Sequence, residues 1–352
     1  MISTPFLPVP PLRYGGTELV VFELVEGLRQ AGHDVTLFSV GESRAKGAVR
    51  SLYQRAVWPP DPYHEQNHAA WAISELVGDD RAWDVVHAHV PAVLPLARFA
   101  PAPIVYTLHH AREEALTEFY ALQRGIEFVA ISERQRALLP ELGRVEVVHH
   151  GLDARRYELG AGGDAALFLG RIAQEKGAHT AIDVARLARV KLLLAGEAHW
   201  KDRDYYAEEI APRLLGRSDV RCLGEIDHDE KVPLLGAVRA LLFPIAWEEP
   251  FGLVMIEAMF AGTPVLAFRR GSAPEIVDDG VTGWICRDED EMAARLSDLG
   301  RRRFDRKRCR ARAIERFGRA RMIADYLRIY SRVAERARAG EATVGEAVGE
   351  RH

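Results

Sequence analysis

Two carboxylates with seven residues between them, Glu249 and Glu257, bracket the stretch of this chain richest in possible chemistry. Pro250 and Gly252 interrupt the chain between them, Leu253 to Ala261 has helical composition, and Gly262 is placed as its stop. Apolar runs of buried-strand length lie on either side, Ala240 to Ile245 before and Thr263 to Phe268 after. A strand–loop–helix–strand unit builds parallel sheets and sets its loop at the carboxyl end of a strand. On unbroken helix the two acids would stand roughly 80° apart and about 12 Å along the axis. With a loop between them, both can turn toward one cleft above the helix N-terminus. Unpaired N–H groups and a partial positive charge make that end a seat for a phosphate. Glu257, one turn in, is then placed to accept hydrogen bonds from a ribose, and Glu249 from sugar hydroxyls. Spacing alone equally allows an ordinary strand–helix unit with two solvated acids.

Cationic candidates lie upstream. Arg171 and Lys176 flank the loop Gly170 to Gly177, between a strand at Ala165 to Leu169 and a helix from Ala178 to Arg189. Both can converge on an anion there, each worth about 4 kcal/mol at 4 Å and an effective dielectric of 20, before desolvation. The alternative is a pair of solvated surface cations. Gly15 and Gly16 follow a proline-rich loop and precede a helix from Glu18 to Gln30. They do not satisfy G-x-G-x-x-G, so no dinucleotide fingerprint is present. Two residues without side chains either let a ligand approach the backbone or make a plain turn. His109 and His110 end a strand at Pro103 to Leu108, where ligand-facing residues collect; a structural histidine fits as well. His87 and His89 lack a third ligand at sensible spacing and read as structural. Asp202-Arg203-Asp204, Asp227-His228-Asp229 and Asp288-Glu289-Asp290 look like D-x-D metal triplets, but charged loops produce such triplets by chance.

The elements that must position these residues alternate strand and helix twice over. Val35 to Val40, Asp84 to His89, Phe128 to Ile131 and Val145 to Val148 join the first half, and Gly160 to Gly163 reads as a linker. Val190 to Ala195 and Val220 to Leu223 join the second. The first strand is clipped, since only Ile2 to Thr4 precede the loop. Arg301 to Arg312 is strongly basic without an apolar face, so it reads as a solvated helix and not as a membrane contact. A final helix carries Ile323, Tyr326, Leu327, Ile329, Tyr330 and Val333 on one broad face.

Length and composition agree. The 352 residues fit two domains of ordinary size, and 48% hydrophobic with 28% charged residues describes a globular chain. A net charge of −4 gives no support for nucleic-acid binding. Three scattered cysteines make neither a disulfide framework nor a zinc site. With no signal peptide and no membrane-length apolar run, a cytoplasmic enzyme is expected.

Taken together the motifs resemble glycosyltransferase family 4, the retaining GT-B transferases. The matching pieces are Tyr14-Gly15-Gly16-Thr17-Glu18, Val105 to His109, Val129 to Glu133, His150 to Asp153, Gly170-Arg171 with Glu175-Lys176-Gly177, and Glu249 to Met259. Gly262 to Val265, Pro274 to Val277 and Gly280 to Gly283 extend the match. The resemblance implies an α/β fold of two Rossmann-like domains facing across a cleft, with a C-terminal helix crossing back to the first. The corresponding divisions are an acceptor-side domain at 1–158, a nucleotide-sugar domain at 159–318, the crossing helix at 319–338 and a disordered tail at 339–352. It implies a nucleotide diphosphate sugar as co-substrate, most often a UDP sugar, a hydroxyl acceptor, and no cofactor or metal.

By the same resemblance Arg171 and Lys176 hold the diphosphate, Glu257 the ribose, and backbone amides around Phe251, Gly252, Leu253 and Val254 complete the donor site. Glu249 holds the transferred sugar, Gly16 with Gly15 approaches the phosphates from the first domain, and His109 lines the catalytic centre. Ile226 and Lys231 lie beside the base. Phe260, Ala261 and His110 depart from the family pattern without removing a residue assigned to chemistry. A GT-B nucleotide-sugar epimerase and a non-catalytic nucleotide-sugar binder are the alternatives; the missing fingerprint disfavours a nicotinamide oxidoreductase.

Overall fold

A computed structural model describes residues 1–13 and 15–349, with side chains to residue 340. The chain forms two parallel sheets, each built from short apolar runs. In the first half, strands β1 (Thr36–Phe38), β2 (Ala48–Arg50), β3 (Val86–Ala88), β4 (Ile104–Thr107), β5 (Ile126–Ala130) and β6 (Glu146–Val147) are all parallel. The clipped first strand is a single residue: Ile2 bridges Phe38 on one side and Ala88 on the other. Its position joins β2-β1 to β3-β4-β5-β6 through one fully buried side chain.

The second half holds β7 (Ala166–Leu169), β8 (Leu192–Ala195), β9 (Val220–Gly224), β10 (Ala240–Phe243), β11 (Val265–Phe268) and β12 (Gly283–Cys286) in the order β12-β11-β10-β7-β8-β9. This is the doubly wound order, with its switch point between β7 and β10. Central strands β4 and β10 are buried at every residue, as strands covered on both faces by helices must be. The edge strand β9 carries only half-buried or exposed residues. Strand β2 and strand β12 were not anticipated: β2 carries only half-buried or exposed residues, and β12 begins at a glycine.

Two crossings join the halves, and they touch. Leu152 pairs with Gly318 in a parallel bridge, with Leu152 N–H donating to Phe317 and Arg319 N–H donating to Leu152. Beyond it the helix Arg319–Gly349 returns to the first half. Met322, Ile323, Tyr326, Ile329 and Val333 recur at helical spacing and bury against Val20, Val21, Leu24, Val25 and Leu28 of the helix Gly16–Gln30. The tail read at 339–352 falls partly within this helix and, from Glu350, outside the described residues.

The basic stretch Arg301 to Arg312 corrects the sequence reading of a solvated helix. Helix Arg306–Phe317 buries Cys309, Ala313 and Phe317, and its arginines lie across carbonyl ends. Arg306 donates to the carbonyls of Gly160, Gly236, Val238 and Ala261 and to Thr263 Oγ1. Arg310 donates to Ala154, Tyr157 and Phe260. Guanidinium donors are fixed in a fork that satisfies several buried acceptors at once, a role no hydropathy pattern reveals. The segment read as a linker is therefore pinned: Gly160 N–H donates to Ala261 and Gly162 N–H to Gly236.

Arg306→Ala is expected to cost about 2–3 kcal/mol, because it strips a charged donor from several half-buried carbonyls at once. Urea unfolding followed by tryptophan fluorescence measures this, with exposed Arg308→Ala as control. A loss below about 0.5 kcal/mol for Arg306→Ala would put it among neutral surface substitutions and remove the clamp.

Candidate active site

Loops at the carboxyl ends of β7 and β10 face each other across the switch point, where open α/β sheets bind ligands. The β7 loop carries Arg171 and Lys176; the β10 loop carries Trp247, Glu248 and Glu249. They are locked together: Ala246 N–H donates to Glu175, and a Cβ on Gly177 would lie 2.1 Å from the Pro244 carbonyl oxygen. Gly177 sits at φ 75°, so the close approach and the left-handed backbone both require glycine. The loop after β11 closes the far side. A Cβ on Gly271 would lie 2.3 Å from Glu249 N, Ser272 N–H donates to the Glu249 carbonyl, and Ser272 Oγ donates to the Phe251 carbonyl.

Neither Glu249 nor Glu257 is a solvated acid. Glu249 is 9% exposed and Glu257 4%. Glu249 Oε2 accepts from Lys176 Nζ at 2.5 Å and from Trp247 Nε1 at 2.8 Å, and Lys176 Nζ stands 4.6 Å over the Trp247 ring. Glu257 Oε1 accepts from Lys231 Nζ at 2.6 Å and from the buried Tyr157 hydroxyl at 2.8 Å; Oε2 takes neither bond. That contact pushes the Tyr157 hydroxyl pKa well up, through burial first and the adjacent carboxylate second. Arg171 likewise is not a free surface cation: it donates to Asp202 Oδ2 at 2.9 Å and to Glu175. Each of these cations is thus paired before any ligand arrives.

The remaining expected donor residues fall around this pair. Gly252, at φ 78°, caps the helix Leu253–Phe260, with Leu253 and Val254 in its first turn. Gly16 opens the helix Gly16–Gln30 with Gly15 as its cap, and a Cβ on Gly16 would stand 3.4 Å from Leu253 Cδ1. Two helix N-termini, one from each half, therefore meet at the cleft; Tyr14 lies outside the described residues. Ile226 is half-buried against the second-half core. Lys231, expected beside the base, instead bonds Glu257.

The first half supplies a row of histidines. His109 Nε2 lies 2.8 Å from His89 Nδ1, the His109 ring stacks on His150 at 5.6 Å, and His150 meets Phe251 edge-on at 4.9 Å. The row thus runs from β3 to the β10 loop of the other half. Burial, foremost, pushes the His109 pKa down to about 3 and holds those of His89 and His150 well below the ordinary range. All three imidazoles are neutral at pH 7. The sequence reading picked out His109, gave His89 a structural role and quoted His150 only within a motif; the His-x-His alternation was the available signal that His89 shares a face with His87.

Other contacts tie the halves. Glu275 accepts from the N–H groups of Glu133 and Arg134 and pairs with His149, while Arg134 forks onto Glu248 at 2.8 and 2.9 Å. The three aspartate triplets have other work. Asp202 holds Arg171, Asp227 caps the helix His228–Gly236 in a capping box with Glu230, and Asp288 caps Glu289–Asp298. Among the described residues no three His, Cys, Asp or Glu side chains converge as a metal site. No described helix is long and apolar enough to cross a membrane.

Residues 14–156 match the family described as Glycosyltransferase Family 4, and residues 154–316 match Glycosyl transferases group 1. A phosphatidyl-myo-inositol mannosyltransferase of Mycolicibacterium smegmatis is 30% identical over 364 residues, covering 91% of each chain. A glycogen synthase of Mycobacterium tuberculosis is 28% identical over 338 residues, covering 80% of this chain and 81% of its own. Among solved structures, AviGT4, a glycosyltransferase involved in avilamycin A biosynthesis, superposes with a TM-score of 0.70 at 25% identity, covering 95% and 97% of the two chains. Anabaena HepE, solved with UDP-glucose, gives 0.72 at 20% identity, covering 94% and 98%.

Neutral burial of His109 has a pH signature. Its folded pKa lies below the unfolded value of 6.5, so the unfolded chain binds the extra proton and stability falls as pH drops below 6.5. Between that value and the folded pKa near 3, the contribution approaches about 1.4 kcal/mol per pH unit. Urea unfolding from pH 4.5 to 7.5 should therefore give a shallower slope for His109→Asn than for the parent protein. Parallel slopes would mean that His109 titrates normally in the fold.

Proposed function

The chain belongs to glycosyltransferase family 4, and from that premise we propose that it transfers a sugar from a nucleotide diphosphate sugar, UDP-linked, to a hydroxyl acceptor with retention of anomeric configuration. One observation carries this reading: Arg171, Lys176, Glu249 and the Leu253–Phe260 helix N-terminus converge at the switch point of the second sheet. The solved HepE complex with UDP-glucose, a neighbour of the same fold, supports the choice of donor.

In this reading the diphosphate lies against the helix N-terminus, flanked by Lys176 and Arg171. Their charge grows in worth as the leaving group becomes anionic, which is stabilisation specific to the transition state. Glu257 accepts from the ribose hydroxyls with the oxygen that Lys231 and Tyr157 leave unengaged. Glu249, immobilised by Lys176 and Trp247, fixes the transferred sugar near its reacting carbon. The transition state resembles an oxocarbenium ion, as in glycoside hydrolysis. A diphosphate is already a good leaving group, so no paired acid and nucleophile are required. The acceptor attacks from the face the diphosphate leaves, and a donor phosphate oxygen takes its proton. Aligning the two reactants supplies much of the rest. Neutral His109 lines this centre as a hydrogen-bonding group.

A thermal-shift panel of nucleoside diphosphates and their sugars tests donor choice, with a UDP sugar at 100 times its Kd expected to add about 2.7 kcal/mol of stability. Proton NMR of the product's anomeric coupling then tests retention. Lys176→Ala or Arg171→Ala should lower kcat by about 10²–10³ at saturating donor. A loss under about threefold would remove the diphosphate role from either residue.

A further inference from the structure

His89 has no place in the reading above, yet it makes the hydrogen bond that decides what His109 can do. Its Nδ1 faces His109 Nε2 at 2.8 Å. His89 is 2% exposed, and its other nitrogen, Nε2, is sealed from solvent without a partner. His109 is only half-buried, and its Nδ1 bonds no protein group and is not among the sealed, unpartnered atoms. Two neutral imidazoles share one hydrogen across that bond, which leaves two arrangements. If His109 Nε2–H donates, His89 must carry its own hydrogen on Nε2, an N–H buried with no acceptor. If His89 Nδ1–H donates, its Nε2 holds only an unused lone pair. Orphaned buried N–H groups are the rarer of the two in folded proteins, and leaving one costs its full desolvation.

We propose that His89 fixes His109 as the Nδ1–H tautomer, so that His109 presents the cleft with a hydrogen-bond donor and not with a base. This rests on the reading that His109 lines the reaction centre. His89 is a positioning residue: it acts through His109. Its own ring is held in turn. His87 and His89 lie on one face of β3 with rings 4.2 Å apart. His87 is fixed by Tyr330 at 2.6 Å and by Thr107 at 2.8 Å, and Thr107 is bonded to Tyr326 at 2.7 Å. Two tyrosines of the helix that crosses back from the second half thus brace the layer under His109. A donor at this place stabilises a sugar hydroxyl oxygen but takes no proton from the acceptor. The proton must then leave by another route, as the phosphate-oxygen path requires.

Two-bond ¹⁵N–¹H correlation spectra of ¹⁵N-histidine-labelled protein at pH 7 read the tautomer directly, with His109→Asn assigning its signals. His109 should show a protonated Nδ1 and a bare Nε2 in the ligand-free wild type; a protonated Nε2 overturns the proposal. His89→Phe, which keeps volume and loses the donor, should move His109 to the Nε2–H form or a mixture. His89→Asn, whose amide N–H replaces Nδ1–H, should restore the wild-type spectrum. In parallel, slow release of UDP from UDP-glucose should fall about tenfold in His89→Phe and recover in His89→Asn. The donor KM should stay within about threefold, as for an interaction made in the transition state. A folded His89→Phe with an unchanged His109 spectrum, or with a changed spectrum and undiminished turnover, overturns the positioning role. A wild type inert toward UDP-glucose would count against the donor assignment alone and leave the spectra to decide the tautomer.

Discussion

Charge placed out of water must be balanced, and the cleft of this protein is built by that requirement. Lys176 with Glu249, Lys231 with Glu257 and Arg171 with Asp202 each join side chains from different elements. Removing one member of such a pair would strand its partner in a poorly solvated place, which costs more than the pair itself contributes. The pairs therefore act chiefly as geometric constraints. The first ties the β7 loop to the β10 loop, and Ser272 ties the β11 loop to the β10 loop at Glu249 and Phe251. In the proposed reading an incoming diphosphate does not meet bare cations waiting for it. On that reading it enters a network whose cations are already paired, in which Arg171 and Lys176 keep further donors available and Glu249 is already fixed.

The second constraint is mechanical continuity between the halves. Phe251 sits in the loop after β10 yet packs against His150 of the first half. Glu275 caps a first-half helix from the second half, and Arg134 answers with its fork on Glu248. Behind these, the crossing helix delivers Tyr326 and Tyr330 to the histidines under the cleft. The histidine row of the first half and the carboxylate–cation pairs of the second abut through Phe251.

Much of this was legible in the chain. The Glu249–Phe251–Gly252–Glu257 element, the Arg171–Lys176 loop and the alternation of strand and helix were readable because they are local patterns. The errors are instructive for the same reason. Arg306 and Arg310 look like solvent-facing charges in any hydropathy reading, because their acceptors are carbonyls scattered from Ala154 to Ala261. The aspartate triplets, read as chance patterns, prove to cap helices or hold Arg171, partners that no spacing shows. His89 and His150 had only a weak signal, since a histidine's role is set by its neighbours and not by its own spacing.

What the sequence determined by itself was the succession of elements, the doubly wound class and the short stretches that carry chemistry. Periods of two and 3.6 residues and the backbone demands of glycine and proline are properties of neighbours along the chain. Tertiary structure alone decided the partners. Lys176 and Glu249 stand 73 residues apart in sequence, and His87 meets Tyr330 across 243. Whether an acid is solvated or immobilised, and which imidazole nitrogen keeps its hydrogen, follow from burial and from what faces the group. Those are set only once the sheets have stacked and the last helix has crossed back.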